Sequence, residues 1–238
     1  MKKYHINYAA GRYLKAQEYC SNSAKNFGFD EVFSFGPKDL DREFVQKNIG
    51  ILQQQRGAGY WIWKPYFILK TLEKMNEGDL LAYSDSGSYY QSSPQPLIDL
   101  LHREEKGVLS FELKGLLEKE YTKRDAFVLM GLDDPKYSES SQREATYIWL
   151  IKNEFTMSLI REYLEYAQDE RIITDLPSQS PNHAEFKDHR HDQSIWSLLC
   201  KKYDIRPHKL ISQWGEGMKD DFPEDAYGQI CMHHRNPM

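Results

Sequence analysis

The sequence predicts an α/β fold, a sheet with covering helices, and three observations carry that expectation. The chain opens strand–helix–strand–helix, the order that lays parallel strands side by side under helices. The run Asp79-Leu80-Leu81-Ala82-Tyr83 after Gly78 reads as a buried strand, and it delivers Ser84-Asp85-Ser86-Gly87 at its carboxyl end. A length of 238 residues suits one domain spanning 1–238, with room for a sizeable core.

The elements follow in order. Tyr4 to Ala9 is the first strand, and Arg12 to Phe27 a helix with Tyr13, Ala16, Cys20, Ala24 and Phe27 along one side, stopped by Gly28. Glu31 to Phe35 is the second strand, and a continuous helix is expected over Asp41 to Gln54. Next comes a glycine-punctuated, aromatic-rich loop, Arg56-Gly57-Ala58-Gly59-Tyr60-Trp61-Ile62-Trp63-Lys64, whose Pro65 suits the first turn of a helix reaching about Met75. A helix over Gln95–Glu105, a strand over Val108–Glu112 and helical character from Leu117 to Met130 follow. Thr146 to Lys152 reads as a strand, Glu154 to Ala167 as an amphipathic helix, and Arg171 to Asp175 as a short strand. Pro177 to His189 is a polar loop, and Asp192 is expected to cap a helix ending near Tyr203. Beyond Lys209 the chain reads as irregular.

Charge and composition narrow the function classes. The net charge of −5 gives no basic face for nucleic acid, although it leaves room for a local basic pocket. Aromatics reach 13%, a supply of flat faces of the kind that sugar and nucleotide sites use. Cys20, Cys200 and Cys231 are scattered and form no CxxC pair, as expected of reduced thiols. MKKYHINYAAGRYLK lacks the apolar run of a signal peptide, and no stretch has membrane-spanning length. A cytoplasmic protein with at most peripheral membrane contact is expected.

Several residues are candidates for chemistry. Asp85, at a strand's carboxyl end between two hydroxyl residues, stands where open α/β sheets gather ligands; the alternative is a turn carboxylate serving local N–H groups. Lys64 offers a cation for phosphate, with Tyr60 or Trp61 lining the pocket; alternatively these aromatics plug the end of the sheet. Thr122-Lys123-Arg124-Asp125 is a second basic spot, or a solvated helix start. His233-His234-Arg235 could pair an imidazole ligand with a guanidinium, or be a solvated tail. His189-Arg190-His191-Asp192-Gln193 is the densest polar cluster, and Asp192 is expected to stay ionised at a helix N-terminus. The cluster's spacing does not fit the HxHxD pattern of a metal-dependent hydrolase.

In this order, Gly59-Tyr60-Trp61-Ile62-Trp63-Lys64-Pro65, Tyr83-Ser84-Asp85-Ser86-Gly87, Thr122-Lys123-Arg124-Asp125 and His189-Arg190-His191-Asp192-Gln193-Ser194 resemble small glycosyltransferases of bacterial and viral polysaccharide gene clusters. These belong to the nucleotide-diphospho-sugar transferase (GT-A) superfamily. The resemblance implies a Rossmann-like GT-A domain, a mixed sheet flanked by helices, with the first strand holding the nucleotide base near Asn7, Tyr8 and Ala9. It implies a divalent metal, Mn²⁺ or Mg²⁺, and the diphosphate at Asp85 and Ser86, completed by His233 or His234. Asp192 and Gln193 would stand beside the donor sugar. The usual DxD is here Ser84-Asp85-Ser86, with one carboxylate instead of two. If metal binding is weak, Lys64, Arg124 or Arg235 would carry more of the diphosphate charge. The implied function is transfer of a hexose or deoxyhexose, from UDP or a related carrier, to a glycan or lipid-linked acceptor in polysaccharide biosynthesis. Its rival is a non-catalytic nucleotide-sugar or glycan-binding module.

Overall fold

The computed structural model describes residues 1–234, so the expected contact from Arg235 lies outside the described residues. Six strands form one mixed sheet: β1 (Lys3–Tyr8), β2 (Glu31–Phe35), β3 (Leu80–Ser84), β5 (Val108–Leu117), β6 (Ser141–Ile151) and β7 (Pro207–His208), in the order β2-β1-β3-β6-β5-β7. β2, β1 and β3 run parallel, whereas β6 is antiparallel to both β3 and β5. A separate two-stranded ribbon pairs β4 (Ser88–Tyr90) with β8 (Cys231–His233), setting Ser88 opposite His233. The late strand β8 corrects the expectation of an irregular end. No helix among the described residues is long and apolar enough to cross a membrane.

Both faces of the sheet are covered, which explains the uninterrupted apolar reading of β3. Leu81 and Tyr83 face one core with Ile6, Ile148 and Leu150, against the helices Trp63–Leu72, Glu154–Ala167 and Asp192–Lys202. Leu80 and Ala82 face the other with Leu109, Phe111 and Trp149, against Ala24, Leu97 and Leu101.

Local departures from the sequence expectations have local causes. The helix expected over Asp41–Gln54 breaks at Asn48 (φ −113°, ψ 21°), whose side-chain amide bonds back to the Phe44 carbonyl at 2.9 Å. The helix assigned to Pro65 starts two residues earlier, at Trp63, and ends at Leu72. Leu117–Met130 divides into two short helices, Glu118–Tyr121 and Arg124–Leu129. The short strand expected at Arg171–Asp175 is instead a helical turn, Glu170–Ile173, capped by the Asp169 carboxylate on the Arg171 N–H. A capping carboxylate satisfies a free helical donor more directly than an unpaired strand edge can.

Candidate active site

A cavity of about 650 Å³ opens at the carboxyl ends of β1 and β3, the sheet edge where ligands of α/β folds collect. Tyr8, Ala9 and Ala10 from the end of β1, Asp85, Ser86 and Gly87 from the end of β3, and Asp192 and Gln193 from a helix start all line it. Segments far apart in sequence therefore meet at one place.

The Gly57–Lys64 segment forms one wall. Trp63 stacks on Tyr8, with centroids 3.8 Å apart and planes 17° from parallel, and its indole N–H donates to the Gly57 carbonyl at 2.9 Å. The Trp61 indole lies directly over Gly57 (φ +60°): a Cβ there would meet three of its ring atoms at 2.3–2.6 Å. Gly57→Ala is therefore expected to evict Trp61 and cost roughly 1–3 kcal/mol, read as a lowered Tm. An unchanged Tm would mean that Trp61 does not seat on this glycine.

Backbone strain gathers here. Among the described residues, Ala58, Tyr60, Trp61, His191 and Asp204 are the non-glycine residues with positive φ. Ala58, Trp61 and His191 line the cavity, and Tyr60 packs on His191 with centroids 4.8 Å apart. Such conformations cost of order 1–3 kcal/mol each and persist where a site needs them.

At the centre, the buried Lys64 ammonium touches two carboxylates. It lies 2.6 Å from Asp192 Oδ2 and 3.4 Å from Asp85 Oδ1, and donates to the Ala145 carbonyl at 3.0 Å. The Tyr83 hydroxyl donates to Asp85 at 2.5 Å, and the Tyr163 hydroxyl to Asp192 at 3.3 Å. Burial opposes the Lys64 charge, but Asp192 and Asp85 outweigh it and hold its pKa above the ordinary lysine value. Burial also pushes the Asp192 carboxyl up to about 6, with Lys64 pulling against that shift. Asp192 is thus mostly ionised at pH 7, in line with the sequence expectation, and takes up its proton as pH falls through about 6. It is not the expected cap: His191 (φ 52°, ψ −119°) precedes the helix, and Asp192 sits in the first turn with its carboxylate turned to Lys64.

Gln193 is oriented from behind. Its amide N–H donates to Gln142 Oε1 at 2.8 Å, while the Gln142 amide nitrogen faces buried Glu118 at 3.2 Å and Thr122 at 3.1 Å. A Glu118 carboxyl oxygen accepts from the Gln142 amide nitrogen, which sets the Gln142 oxygen toward Gln193 and so fixes Gln193 in turn.

The flanking histidines are held by backbone groups. His189 accepts from the Lys123 N–H at 3.2 Å and donates to the Ile172 carbonyl at 2.8 Å; His191 donates to the Ile173 carbonyl at 2.7 Å. Burial lowers both pKa values, that of His191 to about 4, so both rings are neutral at pH 7. With both His189 nitrogens on backbone groups, the cluster does not make a hydrolase metal site.

Four of the expected donor contacts among the described residues do not line the cavity. Asn7 and Ser84 point to the opposite face of the sheet, where Asn7 donates to Ser21 at 2.8 Å and Ser84 bonds His5 at 2.9 Å. Tyr60 is covered beneath His191, and Trp61 takes the lining position. Arg124 is bound to Asp133 at 2.8 Å, and its neighbour Asp125 accepts from the Gln179 and Ser180 N–H groups. That basic motif anchors the 177–189 loop. Ser86 does line the cavity, donating to the Tyr8 carbonyl at 2.6 Å.

Beside Arg56, which is paired with Asp175 and Asp188, the lining cations that the sequence reading did not select are Arg12 and Arg190. Both line the cavity, and neither stands in an ion pair among the described residues; the Arg190 guanidinium rests 4.8 Å over the Tyr121 ring. Their positions were readable, Arg12 just past the first strand and Arg190 inside the HRHDQ run. Counting Arg12, Arg56, Lys64 and Arg190 against Asp85, Asp188 and Asp192, the lining carries four cations to three carboxylates in an acidic protein.

For a divalent metal, no three His, Cys, Asp or Glu side chains gather tightly enough among the described residues to form a cage. Asp85 and His233 line the same cavity, while His234 does not; its ring lies against Tyr89, 5.9 Å away. This oxygen and imidazole set fits Mn²⁺ or Mg²⁺ only with further oxygens brought by a ligand.

No family model and no curated protein sequence matches the chain. Solved structures do. The bifunctional glycosyltransferase WbbM in its apo form aligns at 8% identity and a TM-score of 0.55, over 99% of this chain and 46% of its own. Mouse xyloside xylosyltransferase 1 aligns at 11% identity and 0.49, over 98% and 97%. A glycosyltransferase involved in glycosylating the major capsid of PBCV-1 aligns at 9% and 0.48, over 99% and 96%. At these identities the likeness speaks for the fold, and it rests on WbbM. The chain has a GT-A-like α/β fold with a mixed sheet flanked by helices.

Proposed function

We propose that the protein is a glycosyltransferase that takes a hexose or deoxyhexose from a nucleoside diphosphate, UDP being the first candidate, and passes it to a glycan or lipid-linked acceptor. The observation that carries this reading is the pairing, in one cavity, of the Asp85–Lys64–Asp192 cluster with two unneutralised guanidiniums, Arg12 and Arg190. Sugar transfer needs both: polar groups that hold the sugar, and positive charge for the leaving diphosphate.

In this reading the stacked Tyr8–Trp63 pair and Ala9 flank the nucleoside, while Arg12 and Arg190 meet the diphosphate. Lys64, committed to two carboxylates, orients them. Asp192 and Gln193 hold the sugar or the acceptor hydroxyl. Asp85 and His233 would hold a divalent ion together with diphosphate oxygens, and that ion would add positive charge at the leaving group.

Thermal shift with nucleoside diphosphates and nucleotide sugars, each with and without Mn²⁺, tests the reading. One nucleotide at 100 times its Kd should add about 2.7 kcal/mol of stability, a rise of several degrees. A rise that requires Mn²⁺ supports the Asp85–His233 pair. No rise with any nucleotide at near-millimolar levels would overturn the transferase reading. Binding without acceptor-free donor hydrolysis, and without transfer, would favour the non-catalytic module.

A further inference from the structure

Beside the donor cavity lies a second hollow of about 330 Å³, with Leu113, Leu116, Leu210 and Met218 on its walls and Trp214 at its rim. Trp214 is the most exposed large apolar side chain in the described protein, at 63%. Leaving an indole in water forgoes the burial that normally holds such a group inside.

The turn that presents it is fixed. The Gln213 amide donates to the His233 carbonyl at 2.7 Å and accepts from the His233 N–H at 3.0 Å, tying the Gln213–Met218 turn to β8. A Cβ on Gly215 would sit 1.8 Å from the Leu210 carbonyl oxygen, so only glycine lets the turn close over that backbone. An exposed indole on so constrained a turn is a placed surface.

Two features join this hollow to the donor cavity. His233 lines both. Glu144 of β6 lines the hollow, while Ala145 and Thr146, the next residues of that strand, line the cavity. Two residues of strand span about 7 Å, roughly the length of one sugar ring.

We propose that this hollow is the acceptor subsite, in which a pyranose ring lays an apolar face on Trp214 while its hydroxyls meet Lys114. The proposal rests on the transferase reading and names its acceptor as a sugar ring. The mixed lining decides against an acyl chain. Hydrocarbon would strip water from Lys114, which pairs with Asp221 at 2.6 Å, and would return no hydrogen bonds. A ring with one apolar face and a polar edge satisfies both kinds of surface.

Saturation-transfer NMR with methyl glycosides of glucose, galactose, mannose and rhamnose tests the proposal on wild type, Trp214→Ala and Trp214→Phe. The nucleotide-induced rise in Tm is followed separately as the report on the donor cavity. At least one glycoside should receive saturation from the wild type, lose it at least tenfold in Trp214→Ala, and largely regain it in Trp214→Phe. If no glycoside binds the wild type at tens of millimolar, or Trp214→Ala binds it equally well, the subsite assignment is wrong. Absence of a nucleotide-induced rise in the wild type would instead strike the transferase reading, so the two failures are distinguishable.

Discussion

Asp192→Asn is expected to cut turnover by roughly 10²–10⁴-fold while leaving nucleoside diphosphate affinity nearly unchanged. The carboxylate sits beside the sugar end of the proposed donor site, in contact with Lys64 and the Tyr163 hydroxyl, while Arg12 and Arg190, the cations proposed for the diphosphate, make no ion pair with it among the described residues. Asparagine has the same shape and can still present a carbonyl to Lys64, so the cavity should survive. What is lost is the negative charge, which either activates an acceptor hydroxyl or orients the sugar. If it acts as a base, the reaction inverts the anomeric centre; if it only orients, the configuration is retained. Steady-state kinetics separates turnover from donor binding, and equal loss of both would count against the assigned role.

The same carboxyl sets a pH dependence. Its folded pKa of about 6 lies above the ordinary aspartate value because burial penalises the charged form. The ionised form is the useful one in either role, so kcat should fall as pH drops through about 6. Stability moves the other way. A raised folded pKa means that the native state binds the proton more tightly than the unfolded chain does. That stabilisation is complete below the unfolded value near 3.8 and is lost as pH rises through about 6. The Asn variant lacks this term, so its Tm should depend less on pH between about 4 and 6. A wild-type kcat flat down to pH 5 would show that Asp192 does not act as the ionised group.

Much of this site was legible because secondary structure sets it. The buried β3 run could only be a strand under two covering layers, and its carboxyl end put Asp85 at the ligand edge. The Asp192-Gln193 pair was legible from the helix start that follows the HRH run. The choice of face was not legible. In a sheet covered on both sides the sequence does not alternate apolar with polar, so nothing distinguished Tyr8 from Asn7 or Asp85 from Ser84. The partners of cations were hidden for another reason. Arg124 is neutralised by Asp133 and Lys64 by two aspartates remote in sequence, whereas Arg12 and Arg190 keep their charge for the cavity. Periodicity says nothing about which charges a fold cancels. Chain geometry hid the rest: the strained Ala58–Trp61 backbone follows from Trp61 seating on Gly57, a tertiary contact.

Lys64→Met should be the most damaging single substitution for stability. It leaves Asp85 and Asp192 facing the space that one ammonium had filled, with the Tyr83 and Tyr163 hydroxyls as their remaining donors. Removing one partner of a buried ion pair costs about 3–5 kcal/mol, because the remaining charge is stranded. Lys64 is almost wholly buried, so solvent screening does not soften that cost. The protein has one inexpensive escape, which is to protonate Asp192. Without the pull of Lys64 its pKa must rise above about 6, so the variant should recover stability as pH falls through that new value. Combining Lys64→Met with Asp192→Asn removes the more deeply buried of the two stranded charges and should regain a large part of the lost Tm at pH 7.5, the non-additivity expected of groups in contact. Melting curves of the wild type, both single variants and the double variant, from pH 5 to 8, measure this coupling directly. Strictly additive losses, or a Lys64→Met protein as stable as wild type throughout, would mean that the ammonium does not bind these two carboxylates together. The assignment of Lys64 as the residue that orients Asp192 would then fall, and Lys64 would return to being a candidate for the diphosphate.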